Sequence, residues 1–293
     1  MTYGVIGTGG IGGFYGGILA KSGCDVHFLF HSEYEAAMEH GLIVNSCWGD
    51  FTINPINAYN STASMPKCDV VLVAIKTTAQ NRLAEMLKPI LKPDSTVVLI
   101  QNGLNMEKNL AALLPESVAI AGGMAYICVS RIAPAVIHHQ DLGELTIGMH
   151  RGSDEKAKEL CRQLKCGGVK VAEICSDLNA HRWKKLLWNI PYNGLTVILK
   201  STTDSLMNNE ASAKLIYDIM LEIIGAAKAC GVEIPISIED NKTSMRLDYD
   251  NKRPMEIEYM YSEPIKEADA HGFIMAKTQV LEQQLKFIQN GYL

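Results

Sequence analysis

The 293-residue sequence has no excess of positive charge: 27 lysines and arginines stand against 32 acids, a formal net charge of -5. Without a basic surface, the electrostatic footprint of nucleic-acid binding is missing. No apolar run approaches the roughly 20 residues that span a bilayer, so no membrane association is expected. The opening residues Met1-Thr2-Tyr3-Gly4-Val5-Ile6 carry no basic region ahead of an apolar stretch, and no secretory signal is expected. Cysteines occur at 24, 47, 68, 128, 161, 166, 175 and 230, but with no Cys-x-x-Cys pair and no Cys/His cluster of zinc spacing. The nearest pair, Cys161 and Cys166, leaves a zinc or disulfide reading open. Reduced thiols in a cytoplasmic protein, with no metal, are the expected state. His138-His139 offer no third ligand by spacing and are read as the end of a strand. Repeats and low-complexity tracts are also absent. What is present is a chain 47% hydrophobic. It is long enough for one large domain or two ordinary ones of about 100–200 residues, with a core that needs no covalent staple.

The first half alternates β-rich runs (Tyr3–Ile6, Val26–Phe30, Val70–Ile75, Thr96–Ile100) with helical patterns such as Ile11–Lys21 and Gln80–Leu91. That rhythm predicts a parallel sheet with helices on both faces. Further strand-like runs follow at Val118–Ala121, Ala135–His138, Glu144–Gly148 and Val169–Ile174. Beyond about residue 176 the texture becomes helical, with Asp177–Leu199, Glu210–Cys230, Met255–Ala270 and Lys277–Asn290 as the main segments. The expectation is an α/β protein: a Rossmann-like dinucleotide-binding domain over residues 1–172 and an all-helical domain over 173–293 that carries the substrate chemistry.

Gly7-Thr8-Gly9-Gly10-Ile11-Gly12 follows a strand and opens a helix. In a phosphate-binding loop the first glycine permits the tight turn. The second lets backbone approach a pyrophosphate, and the third lets helix and strand pack closely. The helix N-terminus then offers unsatisfied N–H groups to the anion. A glycine-rich turn without a ligand is the alternative. The second strand ends in Phe30-His31-Ser32-Glu33, with neither an acid at its tip for a ribose 2′-hydroxyl nor an arginine for a 2′-phosphate. His31 and Ser32 can hydrogen-bond a phosphate, Glu33 can swing toward a ribose, or all three are solvated. Both NADP and NAD remain open on these residues.

Lys185, Asn189 and Asn193 are spaced i, i+4, i+8 and share one helix face. Apolar Leu186, Leu187, Trp188 and Ile190 cover the others. Two asparagines, poor helix formers, on one stripe call for a reason. A buried polar wall supplies one, and a solvated face is the alternative. Pro191 lacks an N–H and clashes with the carbonyl of Leu187, so a kink is expected near residues 187–191.

Taken with Val73-Ala74-Ile75-Lys76-Thr77, Gln101-Asn102-Gly103, Trp183-Lys184-Lys185-Leu186-Leu187-Trp188-Asn189, Asn193-Gly194-Leu195-Thr196, Asn241-Lys242-Thr243-Ser244-Met245 and Glu256-Ile257-Glu258-Tyr259, the glycine loop resembles the ketopantoate reductase (2-dehydropantoate 2-reductase) family over nearly the whole chain. The resemblance implies Lys185 and Glu256 as catalytic residues. It implies Asn102, Asn189, Asn193, Asn241 and Ser244 as substrate-binding. The cofactor would be held by Gly7, Thr8, Gly9, Gly10, Ile11, Gly12, His31, Ser32, Lys76 and Asn102. The implied reaction is NAD(P)H-dependent reduction of a 2-oxoacid, 2-dehydropantoate to D-pantoate in pantothenate biosynthesis, with NADPH ahead of NADH. A reductase for another branched or aromatic 2-oxoacid and a non-catalytic nucleotide sensor are the alternatives. A monomer or homodimer is expected. A lysine at its reference pKa of about 10.4 is charged at neutral pH and can stabilise and protonate the developing alkoxide. Three departures from the family stand out: Gly194 where it commonly has proline, His31 where many members carry arginine, and Pro191 inside the helix that carries Lys185.

Overall fold

Strands of the first half read as continuous apolar runs because both faces are covered. Val5 and Ile6, Val70 to Val73, and Val97 to Leu99 are all buried. The computed structural model describes residues 1–234 and 245–292, with backbone alone at 246 and 247. The backbone divides into two compact units: Met1–Gln101 with Met106–Leu178, and Asn102–Asn105 with the residues from Asn179 onward.

The first unit holds strands β1 (Thr2–Ile6), β2 (Asp25–Leu29), β3 (Leu42–Ser46), β4 (Phe51–Ile53), β5 (Asn57–Tyr59), β6 (Cys68–Val73), β7 (Leu91–Leu99), β8 (Ala119–Ala133), β9 (Val136–Arg151) and β10 (Ala172–Cys175). Its helices are α1 (Gly10–Lys21), α2 (Tyr34–His40), α3 (Gln80–Leu87), α4 (Met106–Ala111) and α5 (Glu155–Cys166). The sheet order is β4-β3-β9-β8-β7-β6-β1-β2-β5, with β10 beside β9. From β5 to β8 every pairing is parallel, the expected Rossmann-like spine. Antiparallel β8–β9 and the β3–β4 pair then extend the sheet.

Helix α1 lies against both parts of this sheet. A Cβ on Gly16 would come within 2.6 Å of Phe28, and one on Gly13 within 2.7 Å of Ile137. Between these contacts Phe14, Tyr15, Ile18 and Leu19 are buried, each contributing about 1.5–3 kcal/mol. The three short strand-like runs expected at 118–121, 135–138 and 144–148 are parts of the long β8–β9 hairpin. Consequently His138-His139 sit inside β9 rather than at a strand end. His139 is buried, 2.8 Å from the Ser46 hydroxyl and 2.9 Å from the Leu142 carbonyl. Hydrophobic pattern under-reads this hairpin because its polar residues, such as Ser130 opposite His138, are held by cross-strand pairing.

The second unit is helical: α6 (Leu178–Trp188), α7 (Gly194–Ile198), α8 (Thr203–Met207), α9 (Glu210–Ala229), α10 (Met245–Asp250), α11 (Glu263–Ala270) and α12 (Ala276–Asn290). Trp183, Leu186, Ile219, Ile223, Met260, Tyr261 and Leu285 build its core. Asn209 caps α9 by accepting from the Ser212 N–H at 3.2 Å, and Glu222 caps α12 by accepting from the Lys277 and Thr278 N–H groups at 2.8 Å. Where a kink was expected at Pro191, the chain widens into a π-helical turn over Asn189–Asn193. A second π turn spans Glu258–Ser262. The Tyr261 hydroxyl of the second donates to the Ile190 carbonyl of the first at 2.8 Å. A Cβ at Gly194 would lie 2.8 Å from that hydroxyl, so a proline there would collide with it. Among the described residues, no helix is long and apolar enough to cross a membrane, and no group of three or more His, Cys, Asp and Glu side chains converges as for a metal ion. All eight cysteines are free.

Candidate active site

The glycine loop leaves β1 through Gly7, whose φ of +94° is adopted at little cost only by glycine. A Cβ there would also lie 2.7 Å from the Ile75 backbone nitrogen. Gly12 faces back onto the turn, and its Cβ would be 2.2 Å from the Gly7 carbonyl oxygen. Gly9, by contrast, caps α1 in an extended conformation, and a Cβ there would meet no atom within 4 Å. No contact within the protein therefore calls for glycine at position 9, and the space beside it is of the kind a pyrophosphate would need. Gly10 packs on the β8 backbone near Val129, Ile11 is half-buried, and the buried Thr8 hydroxyl ties the loop to β2 through the Leu29 carbonyl at 2.9 Å.

A cavity of about 600 Å³ opens from this loop, lined by Gly7, Thr8, Gly9, His31, Ser32 and Arg131 among others. His31 and Ser32 are exposed at its rim. Glu33 does not swing toward a ribose. It is buried, ion-paired with Arg131 of β8, and accepts from the Ser32 hydroxyl at 3.0 Å. Arg131 and Arg82, which also line the cavity, escaped sequence reasoning. They lie about 100 and 50 positions beyond β2, outside any local fingerprint. Lys76 is exposed at the end of β6, between the cavity-lining Ile75 and Ala79.

The remaining candidates belong to the helical unit. Asn102 heads a short loop that groups with it: Leu104 donates to the Tyr259 carbonyl at 2.9 Å, and the Asn105 carboxamide donates to Glu267 at 3.0 Å. Gly103, at φ +116°, packs so tightly on Tyr259 that a Cβ would lie 2.5 Å from its carbonyl oxygen.

Lys185 is half-buried on α6, and its reference pKa misleads. Burial, reinforced by the adjacent positive charge of Arg182 and opposed by the buried carboxylate of Glu256, brings its ammonium down from 10.5 to about 7. The lysine is thus poised between its two protonation states at neutral pH rather than fully charged, which suits proton transfer. Arg182, fully buried one turn earlier, was not anticipated and is a principal cause of that shift.

The two asparagines that helical spacing aligned are the first and last residues of the π turn. The Asn189 Nδ2 is buried with no hydrogen-bond partner among the described residues, an expensive state that a ligand acceptor would relieve. Asn193 is fully buried, and its Oδ1 accepts from the Met245 N–H at 2.8 Å, tying the π turn to the start of α10. Asn241 and Ser244 lie outside the described residues.

Comparison with known proteins matches this architecture in two parts. A profile described as ketopantoate reductase PanE/ApbA covers residues 3–152, and its C-terminal counterpart covers residues 177–289. A 2-dehydropantoate 2-reductase from Nostoc sp. is 40% identical, over 98% of this chain and 94% of its own length. The crystal structure of a 2-dehydropantoate 2-reductase from Geobacter metallireducens superposes with a TM-score of 0.91 at 32% identity, covering 98% of this chain and 99% of that one. A second, from Methylococcus capsulatus, gives 0.90 at 29% identity over 100% and 98%.

Proposed function

Because the chain belongs to the ketopantoate reductase family, NAD(P)-dependent oxidoreductases acting on CH–OH donors, we propose that it reduces 2-dehydropantoate to D-pantoate with NADPH, as a cytoplasmic enzyme of pantothenate biosynthesis. The observation that carries the chemistry is the half-buried Lys185 of α6 set beside the buried Arg182 and Glu256, whose opposed charges act on its ammonium.

The bound dinucleotide supplies the hydride for the ketone carbon. The backbone N–H groups at the start of α1 and the open space over Gly9 suit its pyrophosphate. Everything else falls to the chain. In its protonated form the Lys185 Nζ donates to the ketone oxygen and stabilises negative charge as it develops. It then gives that oxygen a proton, completing the alcohol, and is reprotonated from water before the next turnover. Glu256 favours the protonated lysine, which burial and Arg182 oppose. The Asn189 Nδ2, without a partner among the described residues, offers a donor to a substrate oxygen. Asn102, Asn241 and Ser244 are assigned to the substrate by family likeness, and Lys76 and Asn102 to the nicotinamide side. Asn193, likewise assigned to the substrate by family likeness, also holds the π turn against α10 through its Oδ1.

Initial rates with 2-dehydropantoate and a panel of other 2-oxoacids, each with NADPH and NADH, test the reading. Efficient turnover of 2-dehydropantoate with NADPH is expected. Lys185→Ala should lower kcat by about 10²–10⁴-fold with little change in dinucleotide affinity. Turnover confined to another oxoacid would move the protein out of pantothenate synthesis. Tight dinucleotide binding without turnover of any oxoacid would make it a sensor.

A further inference from the structure

An acid just beyond the second strand of a dinucleotide fold ordinarily takes the ribose 2′-hydroxyl and repels a 2′-phosphate. Glu33 stands near that position, but its carboxylate is buried and engaged by Arg131. The guanidinium thereby reaches the rim where His31 and Ser32 stand, although it comes from the far part of the β8–β9 hairpin. The Glu33 contact runs through Nη1, whereas a guanidinium carries five N–H donors in a planar fork suited to phosphate. The Arg131 side chain is 39% exposed and lines the cavity. Arg82 adds a second positive charge to the cavity lining, and among the described residues Glu33 is the only acid there.

We propose that Arg131, braced by Glu33, is the specificity-determining residue that selects NADP by binding its 2′-phosphate. An arginine delivered by β8 replaces the strand-tip arginine that the sequence lacks, and Glu33 becomes its positioning residue instead of a determinant of NAD preference. The inference rests on the reading of this cavity as a dinucleotide site.

Calorimetric titration with NADPH, NADH, 2′,5′-ADP and 5′-AMP tests it without relying on turnover. The wild-type protein should prefer NADPH to NADH and 2′,5′-ADP to 5′-AMP. Arg131→Met should reduce both preferences by about tenfold or more, the scale of a charge-assisted phosphate contact. Glu33→Gln keeps the arginine but loosens its brace, and should reduce them by a smaller factor of about three. Arg131→Met leaves a buried carboxylate unpaired and can destabilise the protein. The double variant Arg131→Met/Glu33→Gln removes both charges and should show the full loss of preference. Preferences unchanged in Arg131→Met and in the double variant, or lost only in Arg82→Met, would overturn the assignment while leaving the cavity a dinucleotide site. Wild-type preference for NADH would do the same. Failure of the wild-type protein to bind any of the four would overturn the dinucleotide reading itself.

Discussion

Gly7 and Gly12 are dictated by the protein's own backbone, while Gly9 is surrounded by free space. The same residue type therefore serves two causes within one loop, and substitution separates them. Gly12→Ala would push a methyl group into the Gly7 carbonyl, and should cost about 1–3 kcal/mol of stability. Gly9→Ala keeps an extended φ of -88° that alanine adopts readily, so its thermal midpoint should match the wild type. Its NADPH dissociation constant should nevertheless rise about tenfold or more, because the added methyl occupies the approach of the pyrophosphate. Thermal denaturation and dinucleotide titration on both variants check this. A destabilised Gly9→Ala protein would show that the loop glycines are all structural.

The π turn over Asn189–Asn193 is where local pattern and folded geometry diverge most. On an ideal α-helix Lys185, Asn189 and Asn193 form one stripe. Pro191 removes an N–H, the turn widens, and Tyr261 takes up the Ile190 carbonyl. The Asn193 Oδ1 then accepts from the Met245 N–H, while the Asn189 Nδ2 has no partner among the described residues. Their alanine variants should differ accordingly. Asn193→Ala strands a buried backbone donor and should lose about 1–2 kcal/mol in chemical denaturation. Asn189→Ala removes an already unsatisfied group and should be neutral in stability, yet raise the KM for the oxoacid by about tenfold. Equal stability loss in both variants would assign Asn189 a structural role as well.

The depressed lysine makes the stability of the whole molecule depend on pH. In the unfolded chain Lys185 titrates near 10.5, and in the native protein near 7. Between these values the unfolded state binds more protons, so this residue makes stability rise with pH from about 7 to about 10.5. Below 7 the lysine is protonated in both states, and the full cost of its buried charge is present. Lys185→Met removes the titration. The stability difference between Met variant and wild type should be largest at pH 6.5 and shrink steadily toward pH 9.5, as measured by urea midpoints. A difference independent of pH would mean that the ammonium is not dehydrated in the native protein.

The glycine loop was legible in the sequence because a tight turn feeding a helix is specified by adjacent residues. The parallel spine was legible because strands buried on both faces must be apolar throughout. The lysine on α6 stood out as the first of three polar residues at helical spacing, and the family resemblance implied its role. The long hairpin was not, since cross-strand partners rather than periodicity sustain its polar stretch. Nor were the arginine paired with Glu33, the hydrogen bond from the Met245 N–H to Asn193, or the lowered pKa of Lys185. Each depends on which groups packing brings from distant positions in the chain: Arg131 to Glu33, Met245 to Asn193, Glu256 to Lys185. The sequence by itself determined the elements and the inventory of reactive groups. Only the tertiary structure decided which of those groups are spent on one another and which remain for a ligand, because desolvation and charge pairing are properties of neighbours in space.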